Sequence, residues 1–426
     1  MAKYRVLRSS GLVFAVLLLA LLVLTPFASA LTIYNVKTWQ WGRDTYIGSV
    51  AAGDVDADGA EEIVTGGVYR DVSFHWFAQL CVWSSSSLAL ENAATWTMGV
   101  GSEWPLQYIE SVVISDVDAD GALEIVTGGY YYDGTRIVAQ LCVFSGATLA
   151  LENIVTWFWT SNTEIRSVAV GDVDSDGQKE IVTGGYYYDG HYNAQLCVWN
   201  GATLALENVR TWRWTSSTYI NSVVASNVDG DGSMEIVTGG QYYDGVRYVA
   251  QLCVWNGATL ALENVRTWYW TGNTEIRSIA VGNVELFSLD KEIVTGGSYS
   301  DGTHNSAQLC VWDGATLELD EVQTWRWESD TFIESVALAS VDSVKGVDIV
   351  SGGSYWDEWS GMNAQLCVWS GSSLALKYVQ AWQWGSSTYI ESVSECEVSS
   401  VTPDEIVIGG YYEYSFRMNA QLSVWA

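Results

Sequence analysis

Oxygen-bearing side chains recur at alternate positions in four short stretches of this chain. The first reads Asp54-x-Asp56-x-Asp58-Gly59-x-x-Glu62. The others place Asp116, Asp118, Asp120 and Glu124, then Asp172, Asp174, Asp176 and Glu180, then Asn227, Asp229, Asp231 and Glu235 at the same spacing. Alternate oxygen donors, a glycine for a sharp turn and a distal carboxylate are what a hard cation with about six to eight oxygen ligands requires. Calcium fits this pattern. Magnesium demands near-ideal octahedral geometry and keeps its waters, and zinc takes nitrogen or sulfur donors that these stretches lack. The residue after the glycine is Ala60, Ala122, Gln178 or Ser233, a freedom expected where only the backbone carbonyl serves as ligand. Three further stretches, Asn283-Val-Glu285, Ser340-Val-Asp342 and Glu397-Val-Ser399, have lost the alternation. They are expected to turn without metal.

Catalytic constellations are thin. His75, His191 and His304 fall in equivalent turns of alternate repeats, too far apart to cooperate, and read as isolated surface histidines. No nucleophile elbow, phosphate loop, HExxH or Cys/His zinc spacing occurs. Paired carboxylates drawn from several loops could still serve a polysaccharide lyase or glycosidase. The 50 acidic against 19 basic residues give a net charge of −31, which excludes an electrostatic nucleic-acid binder. The four Asp-rich stretches hold 15 of those carboxylates, so bound cation would neutralise much of the charge. At 49% hydrophobic and 16% charged the chain can bury a core and is no disordered acidic tail.

The elements that must hold these stretches come from a repeat. Glycine pairs at 66, 128, 184, 239, 296, 352 and 409 are spaced by 55 to 62 residues, and Ala-Gln-Leu also recurs seven times, beginning at 78, 139, 194, 250, 307, 364 and 420. Within one copy, RSVAVGDV, EIVTGGYY, NAQLCVWN and LENVRTWRW alternate or are β-branched and are separated by Gly, Asp and Asn. They predict a meander of four antiparallel strands, A to D. Such a sheet cannot bury both faces alone, so the copies must pack radially as an all-β, seven-bladed β-propeller of four-stranded antiparallel blades. Residues 32–41 read as a D strand and 420–425 as a C strand. The N-terminal strand is therefore expected to complete the last blade and leave no open edge. Six cysteines (Cys81, Cys142, Cys197, Cys253, Cys310, Cys367) occupy one register of strand C and are expected as buried free thiols, because copies of one strand stand too far apart to bridge.

The run GDVDSDGQKEIVTGG followed by AQLCVWNGATL resembles the FG-GAP, or VCBS-type, repeat of the integrin alpha-chain propeller and of secreted microbial proteins. The resemblance covers essentially residues 31–426 and implies the same fold with calcium in the A–B turns. Glu164-Ile165-Arg166 stands where that family has Phe-Gly, and Gly-Gly-Tyr stands for Gly-Ala-Pro. A glycine pair followed by tryptophan is also similar to kelch repeats, which lack the Asp-rich loop.

Strand order puts A–B and C–D turns at one end of every blade, and B–C turns and D–A crossings at the other. Of the 23 tryptophans, 19 fall at repeated strand positions and read as packing. Trp76, Trp104, Trp356 and Trp359 do not. They map to the end opposite the Asp-rich turns, where exposed aromatics would suit a sugar or peptide; the alternative is that they only cap blades. Lys3, Arg5 and Arg8, the apolar stretch Gly11–Leu24 and Ala28-Ser29-Ala30 read as a secretory signal over 1–30, with an uncleaved anchor as the alternative and no membrane span in the mature chain. The function expected from all this is a secreted, calcium-stabilised, non-catalytic module that binds a protein or glycan at the cell surface. The alternatives are a polysaccharide-processing enzyme and a purely structural envelope unit.

Overall fold

The computed structural model describes residues 31–99, 107–284, 291–342, 346–398 and 404–426. The expected signal over 1–30 and Trp104 lie outside them, as do parts of the three degenerate turns. The described chain forms 28 strands in seven four-stranded antiparallel sheets. Blade 1 is β2–β5 (Asp44–Gly53, Glu62–Arg70, Trp76–Ser84, Leu90–Trp96), and blade 2 is β6–β9 (Gln107–Ser115, Glu124–Tyr132, Ile137–Ser145, Leu151–Trp157). Blade 3 is β10–β13 (Thr163–Gly171, Glu180–Tyr188, Tyr192–Asn200, Leu206–Trp212), and blade 4 is β14–β17 (Ser217–Ser226, Glu235–Tyr243, Tyr248–Asn256, Leu262–Trp268). Blade 5 is β18–β21 (Thr274–Gly282, Glu292–Ser300, Asn305–Asp313, Leu319–Trp325), and blade 6 is β22–β25 (Asp330–Ala339, Asp348–Asp357, Gly361–Ser370, Leu376–Trp382). Blade 7 is β26–β28 (Ser387–Cys396, Glu405–Tyr414, Arg417–Trp425) closed by β1 (Ile33–Trp39), in the order β1-β28-β27-β26.

Burial follows strand position. B and C strands such as β11 and β12 are buried on both faces, whereas D strands such as β13 alternate exposed and half-buried residues because they form the outer edge. The glycine pair answers two crowding problems. A Cβ on Gly66 would strike Val112 and Ile109 of the next blade, and one on Gly67 would strike the Tyr46 carbonyl of the adjoining A strand. Neither position tolerates a side chain.

Neighbouring blades are joined by aromatic pairs between the D strand of one and the C strand of the next. The seven pairs are Trp39–Trp83, Trp96–Phe144, Trp157–Trp199, Trp212–Trp255, Trp268–Trp312, Trp325–Trp369 and Trp382–Trp425, with ring centroids 4.5–5.0 Å apart. Each such pair is worth about 0.5–1.5 kcal/mol beyond its buried area. The C-strand indole also donates to the B-strand hydroxyl beside the cysteine, as Trp83 Nε1 does to Thr65 Oγ1 (3.0 Å) and Trp199 Nε1 to Thr183 Oγ1 (3.0 Å). In blade 7 the pair is exchanged. Ile408 replaces the threonine and Ser423 the cysteine, and Trp425 Nε1 donates to Ser423 Oγ (2.9 Å). All seven cysteines are free and buried, as geometry required.

A second ring of contacts surrounds the axis. Every A strand carries a β-bulge after its central isoleucine, with register shifts at Ile47/Ser49, Ile109/Ser111, Ile165/Ser167, Ile220/Ser222, Ile276/Ser278, Ile333/Ser335 and Ile390/Ser392. The serine after each bulge accepts the amide of the following blade: Val112, Val168, Val223, Ile279, Val336, Val393 and Val50 donate to Ser49, Ser111, Ser167, Ser222, Ser278, Ser335 and Ser392 at 3.0–3.2 Å. A bulge breaks one rung of the ladder, and the neighbour's hydroxyl supplies the partner.

Candidate functional site

The Asp-rich stretches form the A–B corners of blades 1 to 4. Each turns through two left-handed residues, Ala57 and Gly59, Ala119 and Gly121, Ser175 and Gly177, or Gly230 and Gly232, with φ of 60–95°. This brings the acidic side chains to one point. Carboxylate oxygens of Asp54, Asp56 and Asp58 lie within 4.8 Å of one another, and the same limit holds for Asp116/Asp118/Glu124, Asp172/Asp174/Glu180 and Asp229/Asp231/Glu235. Oxygens about 2.3–2.6 Å from a shared calcium ion must lie within roughly twice that distance of each other, so the donor sets fit.

Several of the predicted ligands, inside and outside these sets, have additional duties. Asp58, Asp120, Asp176 and Asp231 each accept the amide of the residue two further on, Ala60, Ala122, Gln178 and Ser233, at 2.7–2.8 Å. Asn227 accepts from the Gly230 amide (2.8 Å). The distal glutamates are buried at the start of strand B, where Glu62, Glu124, Glu180 and Glu235 accept the amides of Val55, Val117, Val173 and Val228 (2.8–3.0 Å). Glu292 and Glu405 make the same bond in blades 5 and 7. The glutamate therefore closes the corner whether or not the other donors are present. Burial first, then the neighbouring acids, push the carboxyls of Glu62, Glu124, Glu180 and Glu235 up to about 7, against the pull of the amide bond. In blade 2, Asp116 Oδ1 is a buried oxygen with no hydrogen-bond partner.

Sequence reasoning missed a residue at this corner. The D strand follows its leucine with Glu91, Glu152, Glu207 and Glu263 in the four blades with intact corners, and with Asp320, Lys377 and Tyr34 in the others. Glu91 sits within electrostatic reach of Asp56 and Asp58, as Glu152 does of Asp118 and Asp120, and both carboxyls are raised by burial and these neighbours. In blade 6 the substitution is informative: Lys377 Nζ binds Asp348 Oδ1 (2.6 Å) at the distal-acid position and Asp342 Oδ2 (3.0 Å) in the turn. A positive charge occupies the point on which acids converge. The signal was in the sequence, as the matching of Leu-Glu-Asn to intact turns and Leu-Lys to a degenerate one.

The opposite end corrects one expectation. Trp76 is not an exposed indole. It opens β4 at 6% exposure, packed with Val68, Tyr46 and Tyr108. Paired with Arg70 as the first residue of β4 it is turned inward, which a turn assignment from sequence could not foresee. Trp356 (42% exposed) ends β23 and Trp359 (95% exposed) sits in the following turn. They lie in blade 6, with blade 7 between them and Trp76, so the structure does not bring the set together. Among the described residues the five most exposed large apolar side chains, Val72, Val246, Trp359, Tyr414 and Phe416, are 64% exposed or more, and all lie in or beside B–C turns. His75, His191 and His304 sit singly in the B–C turns of blades 1, 3 and 5. In six blades the tyrosine two residues after the glycine pair packs against the second D-strand tryptophan of the preceding blade, as Tyr69 does on Trp41 (5.6 Å) and Tyr242 on Trp214 (5.3 Å); ahead of Tyr131 in blade 2 that position is Met98.

Among the described residues no helix is long and apolar enough to cross a membrane. No family model matches the chain, and no curated protein does. Among solved structures, that of the Dos1 propeller is similar, with 12% sequence identity, a TM-score of 0.51 and coverage of 93% of this chain and 95% of that one. At that identity the likeness concerns the fold: this chain is a seven-bladed β-propeller.

Proposed function

We propose that the protein is a calcium-stabilised, non-catalytic binding module, secreted or held at the cell surface, whose B–C end engages a protein or glycan. One observation carries this reading, the division of labour between the two ends. Acids converge at the A–B end in four blades, and the most exposed apolar side chains gather at the B–C end. Asp54, Asp56, Asp58 and Glu62 would hold calcium in blade 1, with their counterparts in blades 2 to 4. Bound there, calcium would neutralise converging carboxylates and tie each A–B hairpin. The Lys377 ammonium between Asp342 and Asp348 supports the reading, because it supplies by side chain the charge that the other corners lack. The rigid ring would then present the B–C turns as a fixed surface, so that binding depends on calcium indirectly. Exposed Trp359 and Phe416 suit stacking on a sugar ring or burial against a protein.

Calorimetric titration of metal-free protein with calcium should reveal about four sites, and Asp174→Asn should abolish one. A titration without heat, or a melt indifferent to chelator, would remove the metal. For the face, a glycan array and a surface-protein binding screen with wild type and with Trp359→Ala/Phe416→Ala are decisive. Retained binding in the double variant places the contact elsewhere.

A further inference from the structure

The seven A-strand bulges place one residue each beside the axis: Gly48, Glu110, Arg166, Asn221, Arg277, Glu334 and Glu391. These side chains reach their neighbours. Arg166 Nη1 binds Glu110 (2.7 Å), with Glu164 at 3.3 Å and the Tyr186 hydroxyl at 2.7 Å. Arg277 pairs with Glu334 and with Glu275 (2.8 Å), and Asn221 Nδ2 donates to the Ile276 carbonyl (2.7 Å). Both arginines are thus committed to two carboxylates each. Glu391 has the Tyr411 hydroxyl as donor and, among the described residues, no ion-pair partner. Blade 1 supplies no side chain at all, only Gly48.

A cavity of about 440 Å³ lies beside Glu391 at the B–C end of the channel. Tyr46, Val68, Trp76, Tyr108 and Tyr411 line it, together with Glu391 and the Glu110–Arg166 ion pair. Tyr46 lies 4.9 Å from Tyr411 and 6.0 Å from Trp76 between ring centroids. Trp76 is 94% buried by its 6% exposure, yet its Nε1 has no hydrogen-bond acceptor. The Arg166 charge in the lining is taken up by Glu110 and Glu164, so what the cavity lacks is an ion-pair partner for Glu391 and an oxygen for the Trp76 indole.

We propose that this cavity binds a small organic cation, an ammonium group carrying a nearby oxygen, with the aromatic faces and Glu391 holding the charge and Trp76 Nε1 donating to the oxygen. Electron-rich ring faces attract such cations by up to about 2 kcal/mol when water is excluded, and a carboxylate beside them adds a charge-assisted hydrogen bond. A simple anion is disfavoured, because the ring of bulge residues and their neighbours carries five carboxylates to two arginines. The inference does not rest on the calcium corners, which lie at the other end. Burial and Glu334 push the Glu391 carboxyl up to about 8, partly offset by Arg277, with Glu110 of blade 2 also raising it and Tyr411 donating from its own blade; Tyr108 faces it too. A bound cation would draw the proton off, so affinity for a cation that keeps its charge throughout, a quaternary ammonium or a lysine side chain, should rise from pH 6 to pH 9.

Calorimetry on the whole chain in calcium buffer tests this with three cationic probes, each paired with a neutral counterpart: choline against dimethylbutanol, glucosamine against glucose, and acetyl-Gly-Lys-Gly-amide against its norleucine analogue. At least one cation should bind tenfold or more tighter than its counterpart, and the winner tells a free hydroxylated amine from an amino sugar or a basic peptide. Glu391→Gln should remove that preference and flatten the pH dependence while leaving the melt intact, since Gln resembles the protonated acid. Trp76→Phe should weaken binding less, losing only the N–H. Equal binding of neutral and cationic partners, no heat with any probe, or a Glu391→Gln variant that binds like wild type overturns the proposal.

Discussion

Lys377 is the residue that says most about the acidic corners. Its ammonium is partly buried between two carboxylates, and Asp348 is almost wholly so. Removing one partner of such a cluster leaves uncompensated charge, at a cost of about 3 kcal/mol. Lys377→Met should therefore lower the melting temperature by several degrees, and added calcium should restore part of the loss in this variant. If calcium restores nothing, the corner does not select for cations. The distal glutamates give a pH signature. Their carboxyls are raised above the usual 4.5 to about 7, so without metal the folded state binds protons more tightly than the unfolded state. Metal-free protein should lose stability as pH rises from about 4.5 to about 7. Calcium needs the ionised form. The gap between melting temperatures with calcium and with chelator should thus widen from pH 5 to pH 8, and a constant gap would sink the assignment. The Asp-x-Asp-x-Asp-Gly signature was legible because it is local. Glu91 and its counterparts escaped notice, since they sit some 30 residues downstream and meet the turn only through the fold.

At the scale of the element, the A-strand bulge has the widest effect. It aims one side chain at the axis and leaves an amide for the preceding blade's serine. Ser222→Ala would strand the Ile279 amide, buried at the interface, and should cost about 1–3 kcal/mol by denaturant unfolding. Gly128→Ala should cost as much or more, because its Cβ would collide with Val168 and Ile165 of blade 3. A variant of either kind that unfolds like wild type would show that blades can slide apart freely. Strand identities and lengths were readable from alternation and from the Gly, Asp and Asn punctuation. The bulge was not. Ile-x-Ser continues an unbroken β pattern, and nothing local marks the residue between as an insertion. For the same reason Trp76 read as a surface aromatic, when the strand it opens turns it against Tyr46 and Tyr108.

Seven repeats in 426 residues, and terminal segments that read as complementary strands, made the whole architecture legible. Equal spacing fixes blade number, and an unpaired D strand needs a sheet that lacks one. Trp39 of β1 contacts Trp83 in blade 1, while Trp425 beside β1 contacts Trp382 in blade 6, so the closing blade is bonded on both flanks. Deleting residues 31–41 should bare the edge of β28 and remove two aromatic pairs, Trp39–Trp83 and Trp41–Tyr69. Size-exclusion chromatography should then show oligomers or aggregate in place of monomer, because an open edge recruits other chains. A monomeric truncation with an unchanged melt would show that closure adds nothing.

That closure also fixes an order of events. Thr32 and Ala426 exchange backbone hydrogen bonds across 394 positions. Strand β1 can find its partner only after β28 has been made. Until then it must stay unpaired while six blades assemble behind it. Loop-closure entropy makes so distant a pairing slow, and a chain interrupted before β28 would leave β1 without its partner. The chain is thus built with a single final latch, and chaperone demand during biosynthesis should concentrate on the interval before it shuts.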